Sequence, residues 1–273
     1  MIRLLLGLVI VIAIANAIVQ IVKPKTVIAP SDGVLVTATP TTPTTITATS
    51  LPKATPTPTP TIQVTATTSP QTTTAYKSKV LIAGVPFTPQ APFAEWSDAR
   101  FQEGCEEASS LMAIYWAKNI TSIDRTKAKE EIIAMVNYQI EKGGLGMDTS
   151  AQDTALKIIS GYLGFNNYEV KENISLQDIK DELLKGNLII VPANGQALNN
   201  PHFTAPGPER HMIVIRGYDD NTGTFITNDP GIRQGELYAY PQQVFYNAIR
   251  DYSTGYNAPI VGNKKIMIII KKS

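Results

Sequence analysis

Apolar positions along this chain fall into distinct regimes. Leu4 to Val22 is apolar on every face and carries no charge over its nineteen residues. As a helix it would span about 28 Å, close to the hydrocarbon thickness of a bilayer. A helix packed on the surface of a soluble core would show a polar stripe, and this run has none. From Thr26 to about Thr74 the pattern disappears: Thr, Pro, Ala and Val dominate, as in the Thr-Pro repeats of residues 55–60, and Asp32 is the sole acidic residue. Sparse, aperiodic apolar residues cannot form a core, and repeated prolines favour an extended, semi-rigid spacer. At about 3.1 Å per residue, roughly fifty such residues would reach about 150 Å.

Periodicity returns in the last two hundred residues. Val80 to Val85 reads as a short strand stopped by Pro86 and Pro89. Ala108, Leu111, Met112, Tyr115 and Trp116 recur at helical spacing and predict a helix from Glu106 to about Lys118. Further helices are predicted over Thr126–Glu141, ended by Gly143-Gly144, and Ser150–Ser160, ended by Gly161. Ser175-Leu176-Gln177-Asp178 resembles a capping box opening a helix closed by Gly186. The period then shortens. Leu188–Val191, Met212–Ile215, Thr224–Thr227 and Lys265–Lys272 read as strands, the middle pair joined by the turn at Asp219–Gly223. Helices first and strands mostly second predict an α+β domain, helices packed on an antiparallel sheet.

Three segments follow: residues 1–25 as a transmembrane anchor or signal peptide, 26–76 as a Thr/Pro-rich linker, and 77–273 as the folded domain. The anchor reading places the domain outside the cytoplasm on a single-pass protein. The alternative is a secreted form, cleaved after Ala15-Asn16-Ala17. A formal net charge of +1 without a basic block argues against nucleic-acid binding. One cysteine and two histidines nine residues apart lack zinc-ligand spacing, and Asp219, Asn221 and Gly223 lack the distal glutamate of a calcium loop. No metal or cofactor is expected.

The chemistry centres on Cys105, the only cysteine. An unpaired thiol in an exported protein is reactive, intermolecular, or buried and inert. At a helix N-terminus, free backbone N–H groups and the dipole favour thiolate, so its pKa is expected to fall. A thiolate nucleophile needs a base. His211 opens the strand HMIVIRGYD, a rigid platform; His202 sits in a loop and is the weaker candidate. The hairpin after His211 brings Asn228-Asp229 alongside, where a side chain can fix the imidazole tautomer, with Asn228 competing for the role. Gln90 offers an amide to an oxyanion beside the Cys105 N–H. Trp96 and Trp116 read as core or cleft wall.

The order Gln, Cys on a helix, His on a strand, then Asp resembles the papain-like cysteine peptidases. VPFTPQ, GCEEASSLMAIYW, RHMIVIRGYDD and FITNDPG resemble the corresponding strings of the C39-like peptidase family, over about Val80 to Ile270. The resemblance implies a papain-like fold and hydrolysis of peptide bonds, with Gln90 as oxyanion donor, Cys105 as nucleophile, His211 as base and Asp229 as orienter. It implies peptide or protein substrates; the N-terminal segment makes the membrane a further expected partner, and the cell wall is another candidate. Many relatives carry Cys-Gly-Pro where this chain has Cys105-Glu106-Glu107, and carboxylates beside a thiol oppose its ionisation. Founding members cut leader peptides after a double glycine ahead of an ABC exporter; this chain has no P-loop. A catalytically inactive binding module on a stalk and a peptidoglycan amidase or endopeptidase are the alternative readings.

Overall fold

The computed structural model describes residues 76–272. The apolar run at Leu4–Val22 and nearly all of the Thr/Pro tract lie outside them. Among the described residues, no helix is long and apolar enough to cross a membrane.

The elements run β1 (Lys79–Leu81), α1 (Ala99–Gln102), α2 (Cys105–Ala117), α3 (Arg125–Glu141) and α4 (Ala151–Asp153), the last continuing as a π-helix over Thr154–Tyr162. Then come β2 (Tyr168–Glu172), α5 (Leu176–Leu184), β3 (Leu188–Ala193), β4 (His211–Asp219), β5 (Thr224–Asn228), β6 (Tyr238–Pro241), α6 (Gln242–Ala248) and β7 (Ile266–Ile270). The strands form one antiparallel sheet in the order β2-β7-β3-β4-β5-β6, and β1 joins it by pairing with β4. The α+β expectation holds.

Strand β4 positions the site. Its first half pairs with β3 (Ala193 opposite His211), its second half with β5, and its last three residues with β1. Every residue of β3, β4 and β7 is buried, which fits the apolar runs Leu188–Val191, Met212–Ile215 and Ile266–Ile270 within them. Helix α2 lies between this sheet and α3, and all its residues except Tyr115 are buried. A helix enclosed on nearly all sides loses the usual polar stripe, so Glu106 and Glu107 enter the interior with it. Ser109 Oγ donates to the Met212 carbonyl at 3.0 Å, fixing α2 against β4 one residue beyond His211.

The capping box forms as expected: Ser175 accepts from the Asp178 N–H, and Asp178 accepts from the Ser175 N–H. Its helix ends at Leu184, and Gly186 adopts a positive φ just beyond. Four elements escape the sequence pattern: α1, β2, β6 and α6. The Ser150–Ser160 helix differs too, becoming a π-helix after Asp153 and running to Tyr162.

Arg216 ties the segment ahead of Gln90 to β4. Its guanidinium donates to the Ile82 carbonyl at 3.0 Å, the Val85 carbonyl at 3.4 Å and Asn228 Oδ1 at 3.2 Å. Arg216→Ala strips donors from buried acceptors, each costing about 1–3 kcal/mol. We expect urea unfolding to register a loss of about 3 kcal/mol in total; a change below about 0.5 kcal/mol would contradict this role.

Candidate active site

Helix α2 starts abruptly. Gly104 is its N-cap and offers no side chain to the first N–H groups. A Cβ at position 104 would lie 2.6 Å from the Arg100 carbonyl oxygen, so only glycine lets α1 run this closely into α2. Cys105 is thereby presented as the first helical residue, on the wall of a cavity of about 760 Å³. His211 lines the same cavity, brought there as the first residue of β4.

His211 Nε2 lies 2.7 Å from Asp229 Oδ1. Asp229 follows β5 and is fully buried. Its Oδ1 also accepts from the Gly231 N–H at 2.9 Å, and its Oδ2 accepts from the Tyr240 hydroxyl at 2.5 Å. That hydroxyl accepts in turn from Asn200 Nδ2 at 2.6 Å. Burial alone would raise the Asp229 pKa, but the imidazole, the hydroxyl and the N–H together hold it below the usual value. An ionised Asp229 fixes the tautomer with the proton on Nε2, leaving Nδ1 as the basic nitrogen. Phe203 packs edge-on against the imidazole, ring centroids 5.4 Å apart. A Cβ on residue 231 would sit 2.8 Å from His211 Cε1, so glycine there makes room for the ring.

Asn228, the competitor for the orienting role, turns elsewhere. Its Oδ1 accepts from Arg216 and the Leu237 N–H, and its Nδ2 donates to the Pro86 carbonyl. His202 lines the cavity but is exposed, and it stacks edge-on with Tyr238 instead of meeting a carboxylate. Trp96 is 43% exposed on the cavity wall, while Trp116 is buried in the core.

Gln90 also borders the cavity, and its N–H donates to the Pro230 carbonyl, joining its loop to the one carrying Asp229. Its amide is occupied: Nε2 donates to the carbonyls of Phe101 at 3.0 Å and Gln102 at 2.7 Å. Both amide hydrogens thus serve the end of α1.

The thiol is where sequence reasoning needs correction. Cys105 Sγ donates to Glu106 Oε2 at 3.2 Å. Burial pushes its pKa well up, and Glu106, Asp148 and Glu107 push it further. The helix terminus was expected to lower it, but desolvation and carboxylates outweigh the dipole. Glu107 is raised well above the carboxylate range by burial and by Glu106, and accepts from Gln139 Nε2 at 2.6 Å. Glu103, on the cavity wall, is pushed up to about 7 by burial, with Asp148 and Glu106 adding and Arg210 opposing. Among the described residues, no group of three or more His, Cys, Asp or Glu is arranged to hold a metal ion.

Tyr240, Asn200 and Phe203 were not legible as site residues. The available signal was Tyr238 and Tyr240, spaced by two on one strand face shortly after Asp229. Tyr240→Phe removes a donor from Asp229 and leaves Asn200 Nδ2 without its acceptor, for an expected stability loss of about 1–3 kcal/mol. The same change raises the Asp229 pKa. If ionised Asp229 supports turnover, the acid limb of the activity profile therefore moves to higher pH; an unmoved limb would contradict the coupling.

A seven-stranded antiparallel sheet backing a buried helix, with that helix's first residue and a strand-borne histidine on one cavity, defines a papain-like α+β fold. A model described as the Peptidase_C39 like family matches residues 82–258, and the chain belongs to that family. Among solved structures, a Bacillus anthracis crystal structure assigned as a C39-like peptidase is similar, with 17% sequence identity and a TM-score of 0.45, over 71% of this chain and 98% of that one. No curated protein sequence matches.

Proposed function

We propose that this chain is a cysteine peptidase that hydrolyses peptide bonds through a Cys105 thioester. The observation carrying this reading is the His211–Asp229 pair at 2.7 Å, buried and oriented, on the cavity that Cys105 also lines. Cys105 attacks the scissile carbonyl, and its proton passes to His211 Nδ1. The imidazolium, steadied by Asp229, protonates the departing amine and then activates the deacylating water. The Cys105 N–H, at the uncapped start of α2, meets the developing oxyanion. Gln90 Nε2 joins it by giving up one of its two carbonyl acceptors.

The experiment is digestion of a mixture of denatured proteins by the purified chain, with new termini identified by mass spectrometry. New termini made by the wild type and absent with His211→Ala support the reading. An identical, unchanged mixture in both sinks it.

The apolar run and Thr/Pro tract support display of this domain outside the cytoplasm, anchored through Leu4–Val22. Retention in the membrane fraction after an alkaline carbonate wash is expected. Recovery of the whole chain in the soluble fraction would contradict the anchor.

A further inference from the structure

Glu106 is the least expected residue at this site. Its side chain is buried, and among the described residues no cation pairs with it. The Arg210 guanidinium pairs with Asp148, at 3.7 Å. A lone buried carboxylate is costly unless its lone pairs are satisfied. Here one oxygen is clamped by two donors: Oε1 accepts from the Thr149 N–H at 3.0 Å and the Tyr252 hydroxyl at 2.8 Å. The other, Oε2, takes the Cys105 S–H. Those donors come from the loop ahead of α4 and the segment ahead of β7, so two distant parts of the chain aim this carboxylate at the sulfur.

We propose that Glu106 is a positioning residue for the nucleophile, fixing the Cys105 side chain through the S–H···Oε2 bond and holding the resting thiol protonated. The inference rests on the reading of Cys105 as the attacking group. Other groups around the sulfur act in the same direction or are spent elsewhere. Glu107 shares the helix, Glu103 ends the preceding turn, Asp148 approaches from the α4 side bound to Arg210, and Tyr252 is committed to Glu106. His211, on β4, is the base that draws the proton off. When a substrate carbonyl enters, the S–H proton moves to His211 Nδ1 and the sulfur lone pair forms the S–C bond. The carbonyl π electrons pass to oxygen; Glu106, whose pKa burial and Asp148 raise against the Tyr252 and Cys105 hydrogen bonds, takes no proton from the sulfur in this step. A resting thiol of this kind is poorly reactive toward small electrophiles and oxidants, because the thiolate is the reactive form.

The chain has one cysteine, so its Raman S–H stretch reports this group alone. For the wild type at neutral pH we expect an S–H band displaced to low wavenumber by a strong acceptor. Glu106→Gln should shift that band upward. It should also move the midpoint of the iodoacetamide rate–pH profile acid-ward by about one unit, roughly a tenfold gain in thiolate below the midpoint. Glu106→Asp, which keeps the charge, should leave the midpoint near that of the wild type. Absence of the S–H band in the neutral wild type, or a folded Glu106→Gln variant with an unmoved profile, overturns the proposal. Should Glu106→Gln fail to fold, the wild-type Raman titration decides alone. Peptide hydrolysis is assayed in parallel: an S–H band with no hydrolysis supports the lock and defeats the peptidase reading, whereas hydrolysis without the band does the reverse.

Discussion

Cys105→Ala abolishes peptide hydrolysis while leaving the fold in place. The drop expected in kcat is on the order of 10⁶-fold, the scale seen when a covalent nucleophile is removed from a hydrolase. The stability loss should be modest, about 1 kcal/mol, for the donor that Oε2 of Glu106 loses. The thiol is small, alanine is the best helix former, and Oε1 of Glu106 keeps its two donors. Thermal unfolding therefore separates lost chemistry from lost structure. A Cys105→Ala variant that melts with the wild type and retains its turnover would remove the sulfur from the mechanism.

Asp229 is expected to show the opposite balance, with stability and activity falling together. Asp229→Ala leaves the Tyr240 hydroxyl, the Gly231 N–H and the His211 ring without their common acceptor in a fully buried place. Truncating one partner of a buried, hydrogen-bonded pair costs about 3–5 kcal/mol. Asp229→Asn is gentler on the fold but loses the charge that favours the imidazolium and sets its tautomer. A fall in kcat of about 10⁴-fold is expected for such a change. Acid weakens the native state in the corresponding way. The folded pKa of Asp229 is depressed, so its contribution is present above the unfolded carboxylate pKa and is lost as pH falls through the folded value. Urea midpoints measured between neutral pH and pH 3 should show that dependence in the wild type and much less of it in Asp229→Asn.

Much of this arrangement was legible in the chain because it rests on local rules. Buried strands β3, β4 and β7 are near-continuous apolar runs, and Ser175 with Asp178 spells its own cap. Helix α2 was visible from the spacing of Leu111, Met112 and Trp116 even though it is buried almost all round. Other elements obey tertiary context. Strand β2, at the sheet edge, reads Tyr-Glu-Val-Lys-Glu and buries none of its residues fully, so no apolar run marks it. Helix α6 is only seven residues long, too short to establish a period. The π-helix is a shift in backbone hydrogen bonding, visible in the Leu163 N–H reaching the Ile158 carbonyl, with no residue type to announce it.

At the site the same division applies. Placement along the chain located His211 and Asp229 on neighbouring strands, and the structure brings them together. The electrostatics of Cys105 were misjudged, because a helix-terminus argument considers α2 alone. Asp148 and Tyr252 arrive from distant sequence, and enclosure by the rest of the fold removes the water that would have screened Glu106 and Glu107. Gln90 illustrates the same limit: its place in the cavity follows from the chain order, but the carbonyls of Phe101 and Gln102 that hold its amide do not.

The central claim is that an acyl group passes through the sulfur of Cys105. The direct measurement is acid-quenched mass spectrometry of the chain during turnover of peptide esters, followed by mapping of any added mass. The account predicts an acyl adduct on Cys105 that forms and decays at the rate of hydrolysis and does not form in His211→Ala. Hydrolysis without added mass on Cys105, or an acyl group mapped to another residue, would contradict it.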